Sequence, residues 1–294
     1  MTTFAALGDS ITLGVGDPVR REGAGQGRPA GQGGRAGRSG LGSLSQGRAW
    51  RGWAALLASG LQEPQLHILA SCGARVTDVE RDQLPAALQV RPDVASFVVG
   101  VNDTLRANFD VGQVAASAAH TVGALRAAGA EVLTMRLPDP GQMLGLPGAL
   151  ARPLARRMHE VNAVMDRLAA HFGTLHYDAA EDAEARDPRM WAVDRLHPSE
   201  RGHRLIACRF HDQLTAAGLA TGPRPDPEPS SPPPSRLAEM GWLATKGTAW
   251  VVRRSTDLVP GLVAMAIRER WSGREALNAT MERVEAGPRA RQAR

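Results

Sequence analysis

Between Phe4 and Tyr177, short apolar runs alternate with longer segments of helical spacing. The runs are Phe4–Leu7, Leu66–Ala70, Val94–Val99, Glu131–Met135 and Thr174–Tyr177. Between two of them Val111, Val114, Ala118, Val122 and Leu125 recur at steps of three and four, as do Met158, Val161, Met165, Leu168 and Phe172 further on. The first pattern suits buried strands and the second amphipathic helices. Strands that alternate with helices predict a parallel sheet covered on both faces. In such a sheet the ligand crevice lies beyond the carboxyl ends of the strands. The residues just after each run are therefore the first candidates for chemistry.

Two stretches interrupt this pattern. Val19–Gly47 is a low-complexity Gly/Arg/Gln/Ser segment with almost nothing to bury, which predicts a flexible surface insert. Gly222–Ser235 is Pro-rich and predicts an extended linker. A body over residues 1–221, a linker over 222–235 and a basic tail over 236–294 follow.

Charge follows the same division. The chain of 294 residues carries a formal +5. The insert has five Arg and one Glu, and the tail has an excess of Arg, so the body itself is mildly acidic. Nucleic-acid binding by the body is therefore not expected. In the tail, Trp242, Trp250 and Trp271 with Arg253, Arg254, Arg268 and Arg270 could make weak contact with an anionic membrane surface. Packing of those apolar residues back onto the body is the stronger expectation.

Two cysteines, Cys72 and Cys208, match neither a disulfide scaffold nor a zinc spacing. Neither HExxH nor paired CxxC is present, so no metal or other cofactor is expected. The glycines of the insert lack the Lys-Ser/Thr ending of a phosphate loop. No basic n-region or apolar h-region precedes Phe4, and Leu258–Ile267 is too short to span a bilayer. A cytoplasmic protein is the expectation.

Four blocks fall where chemistry is expected. Gly8-Asp9-Ser10 follows the first run, Ser71-Cys72-Gly73-Ala74 the second and Gly100-Val101-Asn102-Asp103 the third. Asp194-Arg195-Leu196-His197 precedes the last helical segment of the body. A serine hydroxyl needs an adjacent base to act as a nucleophile. His197 is the natural base for Ser10, and Asp194 stands three residues before it, close enough to hold its other ring nitrogen. The G-x-S-x-G elbow of the α/β-hydrolases is absent around Ser10.

Together the four blocks resemble the SGNH hydrolases, the GDSL-like esterases and lipases. Their pattern is a GDS serine, a lone glycine, a GxND asparagine and a DxxH pair. Arg51-Gly52-Trp53-Ala54 and the His197-Pro198-Ser199…Gly202-His203 run look like actinobacterial members. The resemblance implies a three-layer α/β/α fold, flavodoxin-like, with a five-stranded parallel sheet in the order 2-1-3-4-5. It implies a serine esterase working through an acyl-enzyme, with Ser10, Asp194 and His197 as triad. The oxyanion donors would be the Ser10 and Gly73 backbone N–H groups and the Asn102 amide. A donor of this kind contributes about 2.7–4 kcal/mol to the transition state.

Plainer roles stand beside these. Ser10 suits a helix N-cap. Asp9 and Asp103 suit turn-holding, and His203 suits support of the last helix. Cys72, next to Gly73, is expected as a small buried residue and less as a nucleophile. A carbohydrate O-deacetylase, a thioesterase or lysophospholipase, and a non-catalytic binding protein on the same fold are the alternatives to a general esterase acting on a small-molecule ester.

Overall fold

The computed structural model describes residues 1–18, 50–220 and 222–230. The insert expected over 19–47 and the tail expected over 236–294 lie outside the described residues. In chain order the body runs β1 (Thr2–Gly8), α1 (Ser10–Leu13), α2 (Gly52–Ala58), β2 (Pro64–Ile68) and α3 (Val76–Asp78). A π-helical turn (Val79–Gln83) leads into α4 (Leu84–Val90), followed by β3 (Val94–Val98), α5 (Val101–Thr104), α6 (Val111–Ala127) and β4 (Glu131–Arg136). Then come α7 (Pro140–Met143), α8 (Gly148–Phe172), β5 (Leu175–Asp178), a 3-10 turn (Pro188–Met190) and α9 (Glu200–Ala216).

Among the described residues the strands form one parallel sheet of five, ordered β2-β1-β3-β4-β5. This is the flavodoxin-like order that the family resemblance implied. Phe4 pairs with Leu66 on one side of β1 and with Val94 on the other. Every residue of β3 is buried, so both faces of the sheet centre are covered. That is why its sequence reads as a continuous apolar run instead of an alternating one. α2 packs against α9, and α6 against α8, giving the two helical layers. With few aromatics available, Ala, Val and Leu fill most of the core around Phe4, Trp53, Phe97 and Phe210. No helix among the described residues is long and apolar enough to cross a membrane.

All five strands differ from the apolar runs by one or two residues at one or both ends, and β2 and β5 show why. β2 begins at Pro64 and ends at Ile68, because proline is tolerated as the first residue of an edge strand. β5 runs on to Asp178, whose carboxylate faces Arg136 of β4 at 2.9 Å.

The chain on either side of residues 19–49 is pinned together. Pro18 and Trp50 form an antiparallel bridge, and the Arg51 N–H donates to the Asp17 carbonyl at 3.0 Å. The Arg51 side chain reaches both Asp17 (3.1 Å) and Glu200 (2.8 Å). With the ends fixed, lengthening the intervening segment adds little closure entropy.

Residues 222–230 pack on the body. Pro225 is buried, and its carbonyl accepts from the Cys208 thiol at 3.2 Å. Arg204 donates to the Asp226 carbonyl (2.7 Å), and the Ser230 N–H and hydroxyl donate to Glu200 (2.7 and 2.6 Å). Residues 225–230 are thus tied to α9, and the Gly222 N–H donates to the Gly60 carbonyl at 3.1 Å.

Gly16 shows how tightly the turn after α1 packs against the His197 segment. Its φ is +108°, and a Cβ there would lie 2.0 Å from the Pro198 carbonyl oxygen. Gly16→Ala is expected to destabilise the fold by about 2–4 kcal/mol. The forced shift of Pro198 should also lower ester turnover by roughly tenfold or more. Thermal melting and steady-state assay check both, and wild-type values in each would show that the contact yields.

Candidate active site

The four blocks converge at the carboxyl edge of the sheet. Ser10 opens α1 directly after β1. The N-cap is Asp9, not Ser10: the Asp9 carboxylate accepts the Ile11 N–H at 2.9 Å. Capping by the neighbour leaves the Ser10 hydroxyl for other use. Gln83 clamps the preceding residue, accepting the Gly8 N–H and donating to the Gly8 carbonyl, both at 2.9 Å. This buried amide in the π-helical turn holds the strand-to-helix junction on which Ser10 sits.

The Ser10 Oγ lies 2.8 Å from His197 Nε2, and His197 Nδ1 lies 2.6 Å from Asp194 Oδ2. Asp194 also builds the turn that carries His197. Its Oδ1 accepts the N–H groups of Leu196 and His197 at 3.0 Å each, and Arg195 between them takes a left-handed φ of +57°. Burial opposes ionisation of Asp194, but the hydrogen bonds and charge of His197 outweigh it and hold the carboxyl below its ordinary value. An ionised carboxylate only accepts, so Nδ1 carries the proton and the Nε2 lone pair faces the Ser10 hydroxyl. The side chains of His197 and Asp194 are only 15% and 12% exposed, which strengthens both bonds.

Ser199 caps α9, accepting the Gly202 N–H at 3.3 Å. His203 is fully buried, and desolvation lowers its pKa to about 4. Neutral, it accepts the Trp53 N–H on Nδ1 (3.3 Å) and donates from Nε2 to the Val15 carbonyl (3.0 Å). It therefore ties α9 to α2 and to the turn after α1. Glu200, at the start of α9, is hydrogen-bonded by Ser230, Arg51 and Arg204; burial works against its charge, yet these partners hold it at about 2.

Gly73 has φ +77°, and the space a Cβ would take is open within 4 Å. A glycine here lets a ligand approach the backbone closely. Asp103 accepts the Val76 N–H (3.2 and 3.3 Å) and so holds the Gly73 loop against α5. Asn102 is buried, and its Nδ2 donates to Asp9 Oδ2 (3.2 Å) and to the Ala74 carbonyl (3.1 Å). As it stands, this amide braces the Gly73 loop against the Ser10 turn. To donate to an oxyanion it must exchange one of these partners.

Cys72 is exposed, against the expectation of a buried residue, because the loop after the edge strand β2 leaves its side chain uncovered. Desolvation of the sulfur and the nearby Asp9 carboxylate raise its pKa, the wrong direction for a thiolate nucleophile. Among the described residues no cluster of His, Cys, Asp and Glu could hold a metal ion.

Asp9 and Asp103 are both pushed up to about 6, chiefly by desolvation. A raised carboxyl pKa contributes stability that is complete below the unfolded value and is lost as pH rises through the folded one. Relative to Asp9→Asn, the wild type should therefore lose on the order of 1–3 kcal/mol between about pH 4 and pH 6.5. Parallel melting curves of the two proteins across that window test this; a constant difference would show that the carboxyl titrates normally.

The family described as GDSL-like lipase/acylhydrolase matches residues 6–205. No curated protein matches the chain. Several solved structures share its fold. LAE5, an alpha/beta hydrolase enzyme from the metagenome of Lake Arreo, is 21% identical, with 74% of this chain and 95% of that chain covered and a TM-score of 0.53. Axe2, an acetylxylan esterase from Geobacillus stearothermophilus, is 22% identical, with 72% and 94% covered and a TM-score of 0.51. The psychrotrophic esterase EstA from Pseudoalteromonas sp. is 17% identical, with 74% and 98% covered and a TM-score of 0.50. At these identities the structural likeness is one of fold, and the family match carries the assignment: the chain belongs to the GDSL-like lipase/acylhydrolase family of ester hydrolases.

Proposed function

We propose that the protein is a serine esterase that cleaves carboxylic esters through an acyl-enzyme on Ser10. The observation that carries this reading is the continuous hydrogen-bonded chain Asp194–His197–Ser10, at 2.6 and 2.8 Å. His197 Nε2 takes the Ser10 proton as Oγ attacks the ester carbonyl. Asp194 holds the imidazole in the Nδ1–H form and stabilises the imidazolium. The developing oxyanion is received by the Ser10 and Gly73 N–H groups and by Asn102 once its amide turns from Asp9 or Ala74. The Ser10 N–H, at the first position of α1, is among the donors a helix leaves without an intrahelical partner. Collapse of the intermediate expels the alcohol, which takes the proton from His197. Water, activated by the same histidine, then releases the acid. Apart from the ester and this water, each step uses side chains and backbone N–H groups of the chain.

Support from other proteins runs in the same direction. Catalytic mutants of Axe2 replace a serine in one case and a histidine in another. Because Axe2 is an acetylxylan esterase, removal of acetyl groups from carbohydrate is the second reading for this chain.

The test is hydrolysis of p-nitrophenyl esters of two to twelve acyl carbons by the full chain. Measurable turnover that saturates with ester is expected. A folded protein without activity on any length would contradict the esterase reading. We place the catalytic unit in the body and give the tail no part in the chemistry, so removal of residues 236–294 should leave turnover unchanged.

A further inference from the structure

Past the end of β2, the edge of β1 is completed by a side chain. β2 pairs with β1 as far as Ile68, opposite Ala6, and the Leu69 and Ala70 N–H groups then both donate to the Ala6 carbonyl. Gly8 comes next on that edge and has no β2 residue opposite it. Its buried N–H and carbonyl still need partners. The Gln83 carboxamide serves both, accepting from the N–H and donating to the carbonyl at 2.9 Å each. Gln83 thus takes the place of a missing rung in the ladder.

The same amide reaches a second block. Its nitrogen lies 3.4 Å from the Ser71 Oγ, and the Ser71 N–H donates to the Gly8 carbonyl at 3.3 Å. The Ala74 N–H donates back to the Ser71 carbonyl at 3.3 Å, so Gly73 sits inside a tight turn that starts at Ser71. On the other side, Gly8 leads through Asp9 into Ser10 at the start of α1. Gly8 and Ser71 each stand two residues before a proposed backbone oxyanion donor, Ser10 and Gly73. One buried side chain therefore joins the roots of both donors.

Gln83 is itself held in place. It ends the π-helical turn, in which the Leu84 N–H donates to the Val79 carbonyl five residues back. Pro85, which has no N–H to give, follows one residue later. Widened turns of this kind are frequent at functional sites. Val79 and Leu84 are buried, and His120 of α6 bonds Glu80 of the turn at 2.6 Å. Resting on the esterase reading above, we infer that Gln83 is a positioning residue of the oxyanion hole, fixing the Ser10 and Gly73 backbone N–H groups at the separation the transition state requires. The ground-state ester carries no full negative charge for these donors to meet, so the spacing acts on kcat and hardly on KM.

The experiment compares two variants with wild type. Gln83→Met keeps the length of the side chain and loses its hydrogen bonds. Gln83→Glu keeps an acceptor for the Gly8 N–H. Val122→Ala, a truncation in the buried face of α6, is the stability control. The readouts are melting temperature, kcat and KM on p-nitrophenyl butyrate, and inhibition by butylboronic acid, which forms a tetrahedral adduct on the serine. Gln83→Met should lower kcat about 10- to 100-fold with KM within about threefold. It should weaken butylboronic acid by about the factor lost from kcat/KM. Gln83→Glu should lose at least about threefold in kcat, and less than Gln83→Met. Val122→Ala should melt earlier yet keep kcat within about threefold of wild type. A folded Gln83→Met with kcat or butylboronic acid affinity unchanged, or with its loss in KM alone, would overturn the positioning role and leave the esterase reading standing. So would an equal loss of kcat in Val122→Ala, since turnover would then follow stability. If only Gln83→Glu folds, its kcat and KM decide by the same limits; if neither folds, the amide serves the fold alone and the inference is overturned. Absence of turnover in wild type would overturn the esterase reading and this inference together.

Discussion

Ser10→Ala is expected to lower ester turnover by about 10⁴–10⁶-fold while leaving the melting temperature near that of wild type. The effect is large because, in the mechanism proposed above, the acyl group is carried by the Ser10 Oγ. The fold is spared because capping of α1 belongs to Asp9 and clamping of Gly8 to Gln83, so the hydroxyl holds neither. The Ser10→Ala/His197→Ala pair should be little worse than either single variant, since both remove the same step. Turnover of the Ser10→Ala variant within tenfold of wild type would mean that the nucleophile lies elsewhere.

Asp194→Asn is expected to lower kcat by about 10⁴-fold, with KM changed far less. The new side-chain oxygen can still accept from the Leu196 and His197 N–H groups, so the turn is retained. The amide nitrogen, however, would face His197 Nδ1 with a donor. The imidazole then carries its proton on Nε2, pointing at Ser10, and cannot take the serine proton. Stopped-flow or long-time assays with one activated ester would resolve a loss of this size. A drop of less than tenfold would show that Asp194 serves the turn alone.

Much of this architecture is legible in the sequence for a physical reason. Strands buried on both faces read as apolar runs, and the chemistry of such a sheet is confined to the residues after them. Gly8-Asp9-Ser10, Gly73 and Asn102 could therefore be placed before any coordinate was known. The DxxH spacing placed Asp194 and His197 because a three-residue turn closes on itself. Strand order needed the family resemblance, since periodicity does not specify which strands neighbour which.

What the sequence hides depends on contacts between distant residues. Gln83 sits in an ordinary helical context, and its clamp on Gly8 spans 75 positions; no local pattern marks it. Cys72 looks like a small buried residue, yet its exposure depends on what covers an edge-strand loop. The Pro-rich stretch reads as a linker, but buried Pro225 and the Glu200 contacts to Ser230 exist only once α9 has formed. Asn102 was legible as an amide near the serine, while its present donation to Asp9 and Ala74 was not.

The most direct test of the Ser10 assignment is mass spectrometry of the protein after reaction with an alkyl fluorophosphonate, beside the activity remaining. The expected result is one adduct per chain, on the peptide that contains Ser10, formed in step with loss of esterase activity and absent from Ser10→Ala. An adduct on another residue that tracks inactivation, or full inactivation of Ser10→Ala's residual turnover at the wild-type rate, would contradict Ser10 as the nucleophile.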